Sequence, residues 1–124
     1  MLGEKCYVMA PMTIYHNKTK YFRKVNGLKK EYPKVIFTLP HNAFMDANDW
    51  LANIDEKISN VNCGVLLTDK GIIGRGCYIE VGKLKEEGKP VYLYYKRKLI
   101  EQFVINLLPE NAWVRYAKVE VALL

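Results

Sequence analysis

The chain has 124 residues, half of them hydrophobic and 26% charged, with a formal net charge of +6. That length suits one domain, residues 1–124, and the apolar share is enough for a packed core. No apolar run approaches the ~20 residues that span a bilayer, and no stretch reads as disorder or low complexity.

The start, Met1-Leu2-Gly3-Glu4-Lys5, turns charged at once and lacks the apolar segment and small-residue cleavage site of a signal peptide. A cytoplasmic protein without membrane partners is expected. Cysteines stand at 6, 63 and 77 with no CxxC spacing, and histidines only at 16 and 41. That arithmetic disfavours a disulfide framework, and it gives no metal constellation and no cofactor motif. The positive charge favours anionic partners. It falls in short clusters (Lys18 and Lys20, Arg23 and Lys24, Lys29 and Lys30, Lys96-Arg97-Lys98) that read mainly as solvated faces. No nucleic-acid motif accompanies them, so nucleic acid is disfavoured as a partner.

Along the chain, Cys6–Met12 reads as a buried strand stopped at Pro11, and Asn17–Tyr32 as a helix limited by Pro33. Lys34–Leu39 is a second strand. Asp46 caps a helix whose Ala47, Trp50, Leu51, Ile54 and Ile58 follow helical spacing. Cys63–Asp69 is almost wholly apolar, as a central parallel strand should be. Gly71–Gly76 forms a glycine-rich turn, and Tyr78–Glu87 a helix with Gly88 at its C′ position. Pro90–Tyr95 is a fourth strand. Leu99–Leu108 is expected as a helix and Trp113–Ala117 as a fifth strand; Lys118–Leu124 either extends that strand or forms a terminal helical turn.

Strands alternating with helices predict an α/β fold: a single-domain, flavodoxin-like three-layer sandwich with a mainly parallel sheet of about five strands. Ligands of such sheets bind outside the carboxyl ends of the strands. Three segments meet there: 10–16, 40–46 and 69–80. The turn before the third helix matches neither a dinucleotide fingerprint, since Ile79 holds the third glycine position, nor a P-loop, since Cys77-Tyr78 follows Gly76. Glu80 falls in the first turn of the helix, where the dipole should keep it ionised. An ionised carboxylate there can attack an anomeric carbon, or it can simply be an exposed or capping acid.

The segments Asn60–Asp69, Gly76-Cys77-Tyr78-Ile79-Glu80-Val81-Gly82 and Gly88-Lys89-Pro90-Val91, with Tyr7-Val8-Met9-Ala10-Pro11 upstream, resemble the nucleoside 2-deoxyribosyltransferases and the related nucleotide N-glycosidases. The resemblance covers most of residues 6–95. It implies that Glu80 is a nucleophile toward C1′ of a nucleoside or nucleotide, that Tyr7 orients it, and that Gly76 lets backbone approach the sugar. It also implies a homo-oligomer. Arg75 and Cys77 replace an acid and a hydroxyl of the family's turn, and Arg75 suits a phosphate. The family's base-handling aspartate meets Ile54 here, with Asp55 beside it, leaving Asp49 or Asp46 as substitutes. Ala10 and His16, in the segment at the carboxyl end of the first strand, are further candidates for substrate contact. Loss of that aspartate motivates a second expectation, a non-catalytic nucleotide-binding protein that senses or sequesters its ligand.

Overall fold

The computed structural model describes residues 2–68, 71–107 and 116–121. Strand β1 (Lys5–Met9) is followed by α1 (Met12–Tyr15), α2 (Lys18–Glu31), β2 (Ile36–Thr38), α3 (Pro40–Ala43) and α4 (Ala47–Ser59). Then come β3 (Cys63–Leu67), β4 (Ile72–Gly74), α5 (Arg75–Glu86), β5 (Val91–Tyr95), β6 (Lys98–Ile100), β7 (Phe103–Leu107) and β8 (Tyr116–Val121).

The main sheet has five strands in the order β2-β1-β3-β5-β6. The first four run parallel, and β6 returns antiparallel on β5. A separate antiparallel sheet, β4-β8-β7, carries the chain's last strands. No helix among the described residues is long and apolar enough to cross a membrane.

Two cores flank the main sheet, because successive strand residues point to opposite faces. Cys6, Val8, Val65, Leu67, Tyr92 and Tyr94 pack with Tyr21, Val25 and Leu28 of α2. On the other face Tyr7, Met9, Leu66 and Leu93 pack with Ile54 and Ile58 of α4 and with Cys77, Val81 and Leu84 of α5. Helix α5 lies so close to β3 that a Cβ on Gly64 would sit 2.5 Å from Leu84 Cδ1 and 2.9 Å from Met9 Cε. All three cysteines are buried free thiols.

Capping follows local chemistry. The Asn17 side chain accepts from Lys20 N (3.2 Å) and that of Asp46 from Asp49 N (2.8 Å), each closing a helix start. Gly88, at φ +71°, takes the left-handed position after α5.

Four expectations need correction. The first strand stops at Met9, and Pro11 caps the short α1 that contains Met12. Helix α5 begins at Arg75, three residues before Tyr78, and the expected glycine turn is divided between β4 (Ile72–Gly74) and the start of that helix. Leu51 is exposed rather than part of the core stripe of α4. Where a helix was expected over 99–108, the described residues hold strands β6 and β7 instead: Lys96 and Arg97 both take positive φ (49° and 63°) and reverse the chain, so that Lys98, Leu99 and Ile100 pair with Tyr95, Tyr94 and Leu93. At the C-terminus, residues 113–115 of the expected fifth strand lie outside the described residues. Strand β8 continues to Val121, which favours extension over a helical turn there.

Candidate active site

The parallel strands reverse their order at β1: the chain moves from β1 to β2 on one side and then to β3 on the other. The crevice at such a switch point is where α/β sheets hold ligands. Here it is a cavity of about 340 Å³.

Its polar floor comes from two elements. Tyr7 points from β1 toward the α4–α5 face, and Glu80 points back from α5. The Tyr7 hydroxyl donates to Glu80 Oε2. Trp50, one turn into α4, donates its indole N–H to the same oxygen at 3.4 Å. Glu80 is only 7% exposed.

Burial decides the charge state. Removal from water pushes the Glu80 carboxyl from 4.5 up to about 7, although the hydrogen bonds from Tyr7 and Trp50 pull the other way. The expectation that the helix dipole keeps Glu80 ionised is therefore corrected. With α5 starting at Arg75, Glu80 is its sixth residue, beyond the first turn where the dipole acts strongly. Near neutrality the carboxyl is divided between its two forms. Burial and the neighbouring Glu80 carboxylate raise the Tyr7 hydroxyl above its ordinary range, so it stays protonated and remains a donor. Cys77, one turn before Glu80, is raised well above its ordinary value, first by burial and then by Glu80, and is an inert thiol.

The walls are mostly apolar. Ala10, Pro11, Met12 and Tyr15 follow β1; Phe44 and Met45 precede α4; Gly74 and Gly76 frame the start of α5. Asp46 stands in the lining as well, its Oδ1 capping α4. Among the described lining residues, Glu80 and Asp46 are the two carboxylates and no lysine or arginine appears.

The structure thus brings Tyr7, Glu80, Ala10, Gly76 and Cys77 together. It leaves three expected residues outside the lining. Arg75 is exposed. His16 is also exposed, and its neighbour Tyr15 lines the cavity instead. Asp49 accepts from Met45 N (2.8 Å) and Asn53 Nδ2 (2.6 Å), contacts that hold its carboxyl below the ordinary value and fasten the segment leading into α4. Asp55 is tied to Lys83 Nζ at 2.6 Å, across α4 and α5 on the surface. Sequence reasoning missed Trp50, whose spacing matches the core residues of its helix, and missed the apolar wall of Tyr15, Phe44 and Met45. The signal for the wall was present, since apolar side chains follow both strand ends where polar loop residues are usual. Among the described residues, no group of three or more His, Cys, Asp or Glu converges to hold a metal ion.

Comparison of the chain with protein-family models, with curated proteins and with solved structures gave no match.

Proposed function

We propose that this protein cleaves or exchanges the N-glycosidic bond of a nucleoside, with Glu80 as the nucleophile. One observation carries the reading: a buried carboxylate, oriented by a tyrosine hydroxyl, forms the floor of a cavity large enough for a sugar at the switch point of a parallel sheet. The β2-β1-β3-β5 order supports a flavodoxin-like sandwich in which antiparallel β6 stands where a fifth parallel strand would be. The resemblance to the deoxyribosyltransferases and N-glycosidases supports the same chemistry.

In the first step a Glu80 oxygen bonds to C1′ as the C1′–N bond breaks, and the base departs with the electron pair and takes up a proton from solvent water. Tyr7 and Trp50 hold one carboxylate oxygen, which leaves the other to attack. Asp46, the other carboxylate of the lining, stands where it can accept a hydrogen bond from the base, a place that sequence reasoning also offered to Asp49. Water (hydrolase) or a second base (transferase) then takes the sugar from Glu80. The apolar wall suits a nucleobase ring. With two carboxylates and no cation in the described lining, a neutral nucleoside fits this cavity better than the phosphorylated substrate that Arg75 suggested. The mouth is flanked by the exposed apolar side chains of Met12 and Met45, which supports homo-oligomerisation over this face.

A non-catalytic nucleoside- or nucleotide-binding protein is the second reading. The observation behind it is that Asp46 already caps α4 and Asp49 is committed elsewhere, so little is spare to protonate a leaving base. Incubation with pooled nucleosides and nucleotides, followed by mass spectrometry, separates the two. The enzyme releases free base, carries a glycosyl adduct on Glu80, and loses both in Glu80→Ala and Glu80→Gln. The binding protein releases no base, yet its melting temperature rises with ligand.

A further inference from the structure

Cys6 and Cys63 stand opposite each other on two inner strands of the main sheet. They are register partners in the parallel β1–β3 pair. Partners in neighbouring strands lie about 4.8 Å apart, inside the Cα separation of about 4.4–6.8 Å that a disulfide spans. Both side chains enter the core on the α2 face, and both are buried. Each thiol has the other as a hydrogen-bond partner. Each also has a backbone carbonyl beside it, Tyr7 O at 3.9 Å from Cys6 Sγ and Lys5 O at 3.8 Å from Cys63 Sγ. The third thiol, Cys77, belongs to the opposite core.

Two features set this pair apart from ordinary core packing. The thiols are unequal. The hydrogen bond from Cys6 and a backbone bond from Gly3 hold Cys63 below the ordinary thiol value against the effect of burial, whereas the bond to Cys63 and burial raise Cys6. Cys63 therefore gives up its proton first, beside a neighbour that keeps its own. The pair also sits at the end of the sheet where both strands start. Cys63 opens β3, and residues 2–4, before β1, belong to no helix or strand. Gly3 packs so tightly here that a Cβ on it would sit 2.6 Å from Asn62 Cβ. Segments with few ladder bonds open locally at low cost, which admits a small oxidant while the sheet and α2 stay folded.

We propose that Cys6 and Cys63 form a reversible cross-strand disulfide in reaction with a hydroperoxide. The Cys63 thiolate attacks one peroxide oxygen and the O–O bond breaks. With hydrogen peroxide, hydroxide leaves with the electron pair and takes a proton to become water, and Cys63 becomes a sulfenic acid. The Cys6 sulfur then bonds to the Cys63 sulfur as the S–O bond breaks, and the hydroxyl leaves as water with the Cys6 proton. Two thiols are oxidised and one peroxide is reduced to two waters. The proposal is independent of Glu80, which lies on the other face of the sheet.

Treatment of the reduced full chain with hydrogen peroxide, followed by alkylation and mass spectrometry, tests it. The intact mass is expected to fall by about 2 Da, as two hydrogens leave. Digestion should yield a peptide pair linked through Cys6 and Cys63, dithiothreitol should release it, and Cys77 should be alkylated as a free thiol once the chain is unfolded. In a random chain loop closure favours Cys63 with Cys77, which are nearer in sequence, so a selective link between Cys6 and Cys63 reports the fold. Cys6→Ala should leave a sulfenic acid on Cys63 that dimedone traps, and Cys63→Ala should give no dimedone adduct on Cys6. Absence of the linked pair, a bridge through Cys77 or between two chains, or a dimedone adduct on Cys6 in Cys63→Ala overturns the proposal.

Discussion

Glu80→Gln should make this protein more stable, and the gain should depend on pH. The unfolded carboxyl titrates near 4.5 and the folded one at about 7. Below pH 4.5 both states hold the proton, and burial of the carboxyl carries no charge penalty. As pH rises toward 7 the unfolded chain gives up its proton while the folded chain keeps it, so stability falls; above 7 the loss is complete. At about 1.4 kcal/mol per pH unit, the gap between the two values corresponds to about 3 kcal/mol. Glutamine is neutral throughout, and its carbonyl oxygen can still accept from Tyr7 and Trp50. The variant should therefore exceed the wild type by about 2–3 kcal/mol at pH 8, or on the order of 10 °C in Tm, and by less than about 1 kcal/mol at pH 5. Urea unfolding of both proteins at pH 5, 6.5 and 8 measures this. A gain that does not vary with pH, or a variant less stable than wild type at pH 8, refutes the account of burial and charge at this site.

Two other substitutions probe the same framework. If Glu80 is the nucleophile, base release rises with pH through about 7, and Tyr7→Phe moves that midpoint upward by roughly one unit or more, since a hydrogen bond to the charged form is lost; an unmoved midpoint in the pH–rate profile contradicts the orienting role of Tyr7. Gly64→Ala, with its new Cβ driven against Leu84 and Met9, lowers stability by about 1–3 kcal/mol in chemical denaturation, and a neutral result means that α5 can retreat from β3.

The parts of the fold that were legible are those where one physical rule acts alone. Strands β3 and β5 are apolar on both faces because they sit inside a parallel sheet, and Asp46, Asn17 and Gly88 sit at helix ends for reasons of hydrogen bonding and φ. The hairpin after β5 was hidden because its two turn residues are Lys96 and Arg97, neither of which advertises positive φ. Without a turn signal, Leu99 and Phe103 at i and i+4 look helical. In the site, Tyr7 and Glu80 were reached through the resemblance, and the structure places them in contact. The charge of Glu80 was misjudged because an error of three residues in the start of α5 moved it into the first turn. Trp50 was hidden because a side chain that lines a cavity and one that fills a core share the same helical spacing.

The net charge of +6 is a property of the whole surface, and the Glu80 cavity does not share it. Around Glu80 the described lining has two carboxylates and no cation. Exposed charges further apart than about a Debye length of 8–10 Å act almost independently at physiological salt. The cavity's ligand is therefore selected by its own lining and not by the basic composition of the chain. A cation at the Glu80 cavity would also have lowered the carboxyl's pKa and removed the stability cost worked out above. That cost remains because the lining keeps cations away. A site built in this way suits a neutral ligand whose reacting carbon becomes positive only as its bond breaks, when the ionised carboxylate beside it gains most.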